Sequence, residues 1–309
     1  MTAGASGLVV GVQLAHYGAP LEEIGIDAMV DEIVASGLGG IWVSDHVVLV
    51  EDSASSYPYE PEGSYGFPAG TPWLEAFITL AAVAVRTEGL ELGTSVCVLP
   101  QRDPVLLAKQ CASLDQISGG RLRLGVGTGW LREEFAALGA PFAGRGARAD
   151  AWLRLLRACW SGAPEAGEYG ERTLPAGVRC EPRPVHGQVP VLVGGNSPAA
   201  LARVARAGDG WLGAVPRAGL PLADLTRMVA TIGRECESVG RDPDEVELSL
   251  RLAPRMSELG TDAFTELLAS YVGAGVRRIT IDLAWHSLEA GRERLGRLAA
   301  SVAALGVSA

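Results

Sequence analysis

The clearest chemistry in this sequence sits at the end of an apolar run: Asp45 and His46 follow Ile41-Trp42-Val43-Ser44. An imidazole gains and loses a proton near neutral pH, so a histidine where a strand opens into a cleft can act as general acid or base. A second pattern is Gly125-Val126-Gly127-Thr128-Gly129-Trp130. It lacks the last step of G-x-G-x-x-G, and without a G-K-[ST] triplet it is not a P-loop. Glycines at this spacing let a backbone approach a flat ligand closely, or simply make a tight turn. Trp130 either stacks on a ring system or covers the cleft. The third pattern is Val193-Gly194-Gly195-Asn196-Ser197-Pro198. Glycine amides and a small polar cap at a helix start favour an anion such as a phosphate, with an ordinary helix cap as the alternative. His16 and His286 also stand near strand ends and are weaker candidates, while His186 reads as surface.

These residues must be positioned by an alternation of short apolar runs and amphipathic helices. Leu8–Leu14 reads as the first strand, followed by a helix whose face carries Ile26, Met29, Val30, Ile33 and Val34. Ile41–Ser44 is the second strand, Leu74–Val85 a helix and Leu90–Leu99 the third strand. Asp103 and Pro104 open a helix to about Ile117. The fourth strand holds Leu122, Leu124 and Val126, with helices near Leu131–Leu138 and Ala147–Trp160 after it. The fifth to eighth strands are Val189–Val193, Trp211–Val215, Val246–Leu252 and Arg277–Leu283. Their helices are Pro198–Ala207, Leu222–Val239, Asp262–Val272 and a closing helix to about Leu305. Eight β units each followed by helix predict an α/β chain folded as a (β/α)8 TIM barrel, residues 1–309 forming one domain. A doubly wound open sheet is the competing arrangement. Two segments interrupt the rhythm, Val47–Thr71 and Ser161–Gln188. The first follows strand two and so belongs at the C-terminal rim, where barrel active sites lie.

The bulk properties narrow the function classes. The chain has 309 residues, 48% of them hydrophobic, which suits a large core. A formal net charge of -10 argues against nucleic acid as a partner. Lys109 is the sole lysine. Cys97, Cys111, Cys159, Cys180 and Cys236 are odd in number and form no Cys-x-x-Cys pair, so reduced thiols are expected in place of disulfides or a zinc site. Met1 to Gly7 lacks the pattern of a leader, and no apolar run reaches membrane-spanning length. A cytoplasmic enzyme without metal or membrane partner is the expectation.

Several segments together resemble the luciferase-like superfamily, specifically the oxidoreductases that use the deazaflavin coenzyme F420. They are Trp42 to His46, Leu92-Gly93-Thr94-Ser95-Val96, Pro104 to Gln110, Leu114 to Arg121, Leu124 to Trp130, Glu133-Glu134-Phe135, Gly194 to Pro198 and Gly208-Asp209-Gly210-Trp211. The resemblance implies a barrel in which Asp45 lies against the deazaflavin ring and His46 exchanges a proton with substrate. It implies a cis Ser95–Val96 bond backing that ring, with Gly127 and Trp130 beside it. It also makes Gly194, Gly195, Asn196 and Ser197 the cofactor phosphate site. Arg102, Arg145 and Arg148 are candidates for the cofactor's acidic tail.

The sequence departs from the branch that oxidises sugar phosphates, which carries a Trp soon after the His and a Glu in the glycine loop. Val50 and Trp130 occupy those neighbourhoods, and Glu133 and Glu134 lie close but out of register. The expected function is hydride exchange between F420 and a small organic substrate, in a homodimer. FMN with oxygen, as in a monooxygenase, is the alternative cofactor chemistry. A ligand-binding barrel without catalysis is the remaining one.

Overall fold

Apolar runs bury one face of each strand inside a cylinder and the other under the helices, and a computed structural model shows how they close. It describes residues 7–60, 62–253 and 260–306; of the Met1 to Gly7 stretch, residues 1–6 lie outside that range. Eight parallel strands form a closed barrel: β1 (Val9–Gln13), β2 (Gly40–Val43), β3 (Glu91–Val98), β4 (Leu122–Gly127), β7 (Val191–Gly194), β8 (Gly210–Val215), β9 (Glu247–Leu252) and β10 (Arg278–Asp282), with β10 pairing back onto β1. The closed barrel replaces the open sheet as the reading of the alternation.

The outer ring is built by α2 (Ile26–Ala35), α3 (Ala76–Arg86), α4 (Pro104–Ser118), α6 (Arg145–Trp160), α7 (Pro198–Ala207), α8 (Leu222–Ser238), α9 (Thr261–Gly273) and α10 (Leu288–Ala304). Two short helices, α1 (Gly18–Glu23) and α5 (Arg132–Ala137), sit at the rim. The Asp103 carboxylate caps α4 by accepting from the Val105 and Leu106 N–H groups, as its sequence pattern predicts. Strand and helix ends fall within a few residues of the expected ones. Two features differ: the short helix α1 was not expected, and Ser161–Gln188 is not wholly irregular but contains a hairpin of β5 (Gly167–Tyr169) and β6 (Arg172–Leu174). Three-residue strands are too short to show a period of two.

Inside the barrel, Arg123, Glu91, Arg278 and Glu247 join in a ring of ion pairs at the N-terminal end. Above them Trp42, Leu192 and Leu212 fill the middle, leaving a void of only about 10 Å3 beside Trp42 and Thr280. The barrel is therefore a packed core and not a pore. The strand ends above this plug are polar, and there the site begins.

Candidate active site

The C-terminal ends of the strands open into a cavity of about 1340 Å3. That exceeds the usual volume of a single small-molecule pocket, roughly 300–1,000 Å3, and leaves room for a cofactor and a substrate together. One wall is backbone-rich, formed by Val96, Gly127, Gly194 and Gly195. Aromatic side chains line the same cavity. The segment between β2 and α3 carries Tyr57, Tyr59, Tyr65 and Phe67 over the barrel mouth, where they pack with Tyr17, Trp73 and Trp130.

His46 lines this cavity and is 8% exposed. Its Nδ1 lies 3.1 Å from an oxygen of Glu134, itself 1% exposed. Glu134 also accepts from the backbone N–H of Val47 and of Val48 and from the Gln101 amide. The carboxylate therefore fixes both the histidine and the turn that carries it, leaving Nε2 with no hydrogen-bond partner among the described residues. Tyr65 and Trp73 flank the imidazole at 5.1 Å between ring centroids, and Trp130 lies at 6.2 Å. Sequence reasoning named Glu134 as close to the glycine loop but out of register and gave it no role, because its partner His46 lies 88 residues away.

Asp45 lines the cavity, but its carboxylate is already committed. It accepts from Val98 N–H at 2.9 Å and from Arg102 Nε and Nη2 at 3.1 and 2.6 Å. Burial alone would raise this carboxyl. The adjacent Arg102 charge and these hydrogen bonds outweigh it and hold the group below the usual carboxylate range. Arg102 is thus tied to Asp45 and Glu75 and does not line the cavity. Arg148 is likewise bound to Glu171 and to the carbonyls of Pro141 and Ala143. Of the three arginines proposed for an acidic tail, only Arg145 lines the cavity, and there Arg132, Arg203, Arg217 and Arg251 join it.

The Ser95–Val96 bond is cis, as expected. The pairing of β3 with β4 shifts register between Thr94 and Cys97 around it, which pushes Val96 into the cavity. A Cβ on Gly127 or on Gly194 would lie 2.6 Å from a Val96 methyl, so both positions must be glycine for the bulge to stand where it does. Ser95 lines the cavity, and its Oγ is buried with no hydrogen-bond partner among the described residues. An orphaned hydroxyl beneath a flat backbone wall fits a ring that brings a polar atom of its own. Beside it Arg251 holds Asp282 in a two-point pair at 2.9 Å and donates to the Ser95 carbonyl.

The Gly194–Ser197 turn is divided in its roles. Ser197 Oγ caps α7 by accepting from Ala200 N–H, which leaves its hydroxyl proton free to donate. Asn196 spends both amide atoms on the backbone of Ala214 and so braces the turn against β8. His16 is fully buried, its ring nitrogens set against the carbonyls of Leu14 and Ser44. His186 and His286 are exposed. All five cysteines are free thiols.

Comparison with known proteins places this architecture. The model of the luciferase-like monooxygenase family matches residues 31–303, and the chain belongs to that family. Membership of that family makes it an oxidoreductase. An uncharacterised protein of Mycobacterium tuberculosis is 36% identical over 69% of this chain and 72% of its own length. An F420-dependent glucose-6-phosphate dehydrogenase of Amycolatopsis mediterranei is 31% identical over 63% of this chain and 56% of its own length. Among solved structures, a monooxygenase of Streptomyces bottropensis superposes with a TM-score of 0.75 at 19% identity, covering 97% of this chain and all of that one. An F420-dependent secondary alcohol dehydrogenase with an F420-acetone adduct gives 0.75 at 14%, covering 96% and 99%. Both share the barrel fold.

Proposed function

We propose that this chain is an F420-dependent oxidoreductase that exchanges a hydride with a small organic substrate held under the loop 47–71. The observation that carries the reading is that the buried His46–Glu134 pair lines the same cavity as the backbone-rich stretch of Val96, Gly127 and Gly194. The F420-dependent relative from Amycolatopsis supports the deazaflavin over FMN. Val96, Gly127, Gly194 and the Ser95 hydroxyl would hold the ring, and Gly195 with the cap of α7 would hold the phosphate. The cofactor would supply or accept the hydride at a substrate carbon.

The chain's residues manage the proton. When an alcohol is oxidised, His46 Nε2 takes the hydroxyl proton as the hydride leaves the carbon. When a carbonyl is reduced, the same nitrogen returns it. Glu134 keeps Nδ1 oriented and stabilises the charged imidazolium. Other lining groups are poor substitutes. Burial pushes the Tyr17 phenol up to about 12 and raises Tyr57 and Tyr65 as well, so these remain neutral. Asp45 and Asp282 stay bound to arginines. Arg251, neutralised by Asp282, offers its remaining N–H groups to an uncharged oxygen better than to a phosphate, which supports a neutral substrate over a sugar phosphate.

Titration of the protein with F420 and with FMN, followed by absorbance and fluorescence, tests the reading; tight FMN binding without F420 binding would sink it. His46→Ala should keep cofactor affinity and lose turnover by roughly 10²–10⁴-fold. Unchanged turnover would remove His46 from its role. We extend the proposal to a cytoplasmic homodimer. Ile78 and Val85 on α3 are 73% and 74% exposed, and light scattering should give twice the 32.2 kDa chain mass.

A further inference from the structure

Around His46 the cavity is lined by aromatic side chains whose polar ends have no partner. Tyr65 and Trp73 flank the imidazole. Tyr17 stacks on Trp73 with 4.1 Å between centroids and 16° between planes, and Tyr57 leans on Tyr65 at 5.0 Å. Tyr17, Tyr57 and Tyr65 are half-buried and line the cavity, and their hydroxyls make no hydrogen bond among the described residues. A phenol so enclosed normally finds an acceptor. The three also converge: Tyr17 and Tyr57 both bear on the ionisation of Tyr65, and Arg251 bears on all three. Burial raises each phenol, so each stays a neutral donor.

Arg251 adds to the donors. Of the five N–H groups of a guanidinium, two of its own go to Asp282 and one to the Ser95 carbonyl, which leaves two. Acceptors beside these donors are already occupied. Each Asp282 oxygen holds an Arg251 N–H, the Asp45 oxygens hold Arg102 and Val98, and Glu134 holds His46 and its turn. A lining with free donors and occupied acceptors selects a ligand by oxygens that accept. A sugar or polyol brings a donor with every hydroxyl and fits it poorly. An ammonium ion would suit the aromatic faces, but it would meet the Arg251 guanidinium among them.

We infer that the substrate is a flat, uncharged aromatic ketone with a second acceptor oxygen, its ring packed beside Tyr65 and Trp73 and that oxygen met by the hydroxyls of Tyr17 and Tyr57. This rests on the reading of the cavity as a site of hydride exchange. The ketone carbon gains the hydride from the reduced cofactor and the ketone oxygen gains the proton from His46, which gives the alcohol and leaves the cofactor oxidised. The volume of about 1340 Å3 leaves room for a fused-ring compound beside a cofactor.

Calorimetric titration of the intact protein, with F420 bound and again with FMN bound, tests the inference. The probes are tetralone, its saturated counterpart decalone, a tetralone carrying an acetyl group as second acceptor, and glucose. Tetralone should bind roughly two- to tenfold tighter than decalone, the range that contacts between aromatic rings supply beyond buried area. The acetyl compound should bind tighter still, and glucose weakest. Tyr17→Phe and Tyr57→Phe keep the rings and remove the hydroxyls. Each should weaken the acetyl compound by roughly two- to tenfold and leave tetralone unchanged. Tyr65→Leu should shrink the preference for tetralone over decalone. Equal affinity for tetralone and decalone, or tighter binding of glucose, overturns the inference. So does an unchanged affinity for the acetyl compound in both phenylalanine variants. The expected order with FMN bound, in a protein that does not take F420, sinks the deazaflavin reading and supports the substrate class. Absence of that order with F420 bound overturns the substrate class and leaves the deazaflavin reading standing.

Discussion

At the scale of single residues, the site consists of groups that are free and groups that are spent. His46 keeps one nitrogen for chemistry because Glu134 occupies the other. Asp45, its neighbour, has none to spare, because Arg102 and the Val98 N–H take both oxygens. The Asp45–Arg102 pair is a structural brace with a pH signature. Its carboxyl is held below the ordinary value, so the folded chain binds a proton there less readily than the unfolded one. The stability it contributes is complete above about pH 4, near the unfolded pKa, and is lost as pH falls through the folded value. Asp45→Asn should therefore cost about 3 kcal/mol at neutral pH by leaving a largely buried guanidinium with only Glu75, a more exposed carboxylate, as counter-charge. Denaturant melts should show the gap to wild type narrowing as the solution is made more acidic than pH 4. A gap that stays constant would contradict the brace. Asp45-His46 was legible in the sequence as a pair, but the division of labour within it was not. Which partner each residue finds depends on Arg102 and Glu134, 57 and 88 positions away.

At the scale of elements, the bulge of β3 sets the floor of the site. Gly125 on β4 lies so close that a Cβ there would stand 2.0 Å from the Thr94 carbonyl oxygen. That contact is with backbone, which cannot rotate aside. Gly125→Ala should lower stability by about 2 kcal/mol or more through forced overpacking, visible as a reduced thermal midpoint; a neutral substitution would show that the bulge can shift. The loop over the barrel mouth depends on α5. Glu133 accepts from Ser53 Oγ, Ala54 N–H and Ser55 Oγ, so Glu133→Ala should speed proteolytic cleavage within 47–60 while the barrel keeps its melting temperature. Equal cleavage rates would assign the ordering to the aromatic cluster instead. The barrel strands were readable because each is a run of apolar residues bounded by turn signals. The hairpin β5–β6 was not, since three residues per strand carry no pattern. Arg102 and Arg148 were misplaced because charge alone does not show which carboxylate an arginine will meet first.

At the scale of the molecule, the two ends of the barrel do different work. The N-terminal end is sealed by Arg123, Glu91, Arg278 and Glu247, drawn from β4, β3, β10 and β9. The ring joins strands from opposite halves of the chain, so it also holds closure. Glu247→Gln removes one of the two carboxylates that face both arginines and leaves Glu91 to hold them. It should cost about 3 kcal/mol, seen in a melt, without changing cofactor affinity at the far end. A loss of affinity equal to the loss of stability would mean that the two ends are not independent. Closure itself was an inference from counting eight repeats. The count excluded little by itself, and the resemblance along nearly the whole chain decided for the barrel.

The first turn of α5 brings these scales together. Arg132 stacks on Phe142, Glu133 grips the loop and Glu134 holds the histidine. Three consecutive side chains thus address the rim, the cover and the proton carrier. They share a backbone anchored by Phe135, which is fully buried. This half-turn is a mechanical junction, and anything that tightens one of its three grips strains or steadies the other two. By thermodynamic reciprocity, ordering of the cover and seating of the imidazole must then favour each other to the same degree. A substitution beneath the junction, such as Phe135→Leu, should make loop order and proton transfer deteriorate together, where changes at the tips of the three side chains would separate them.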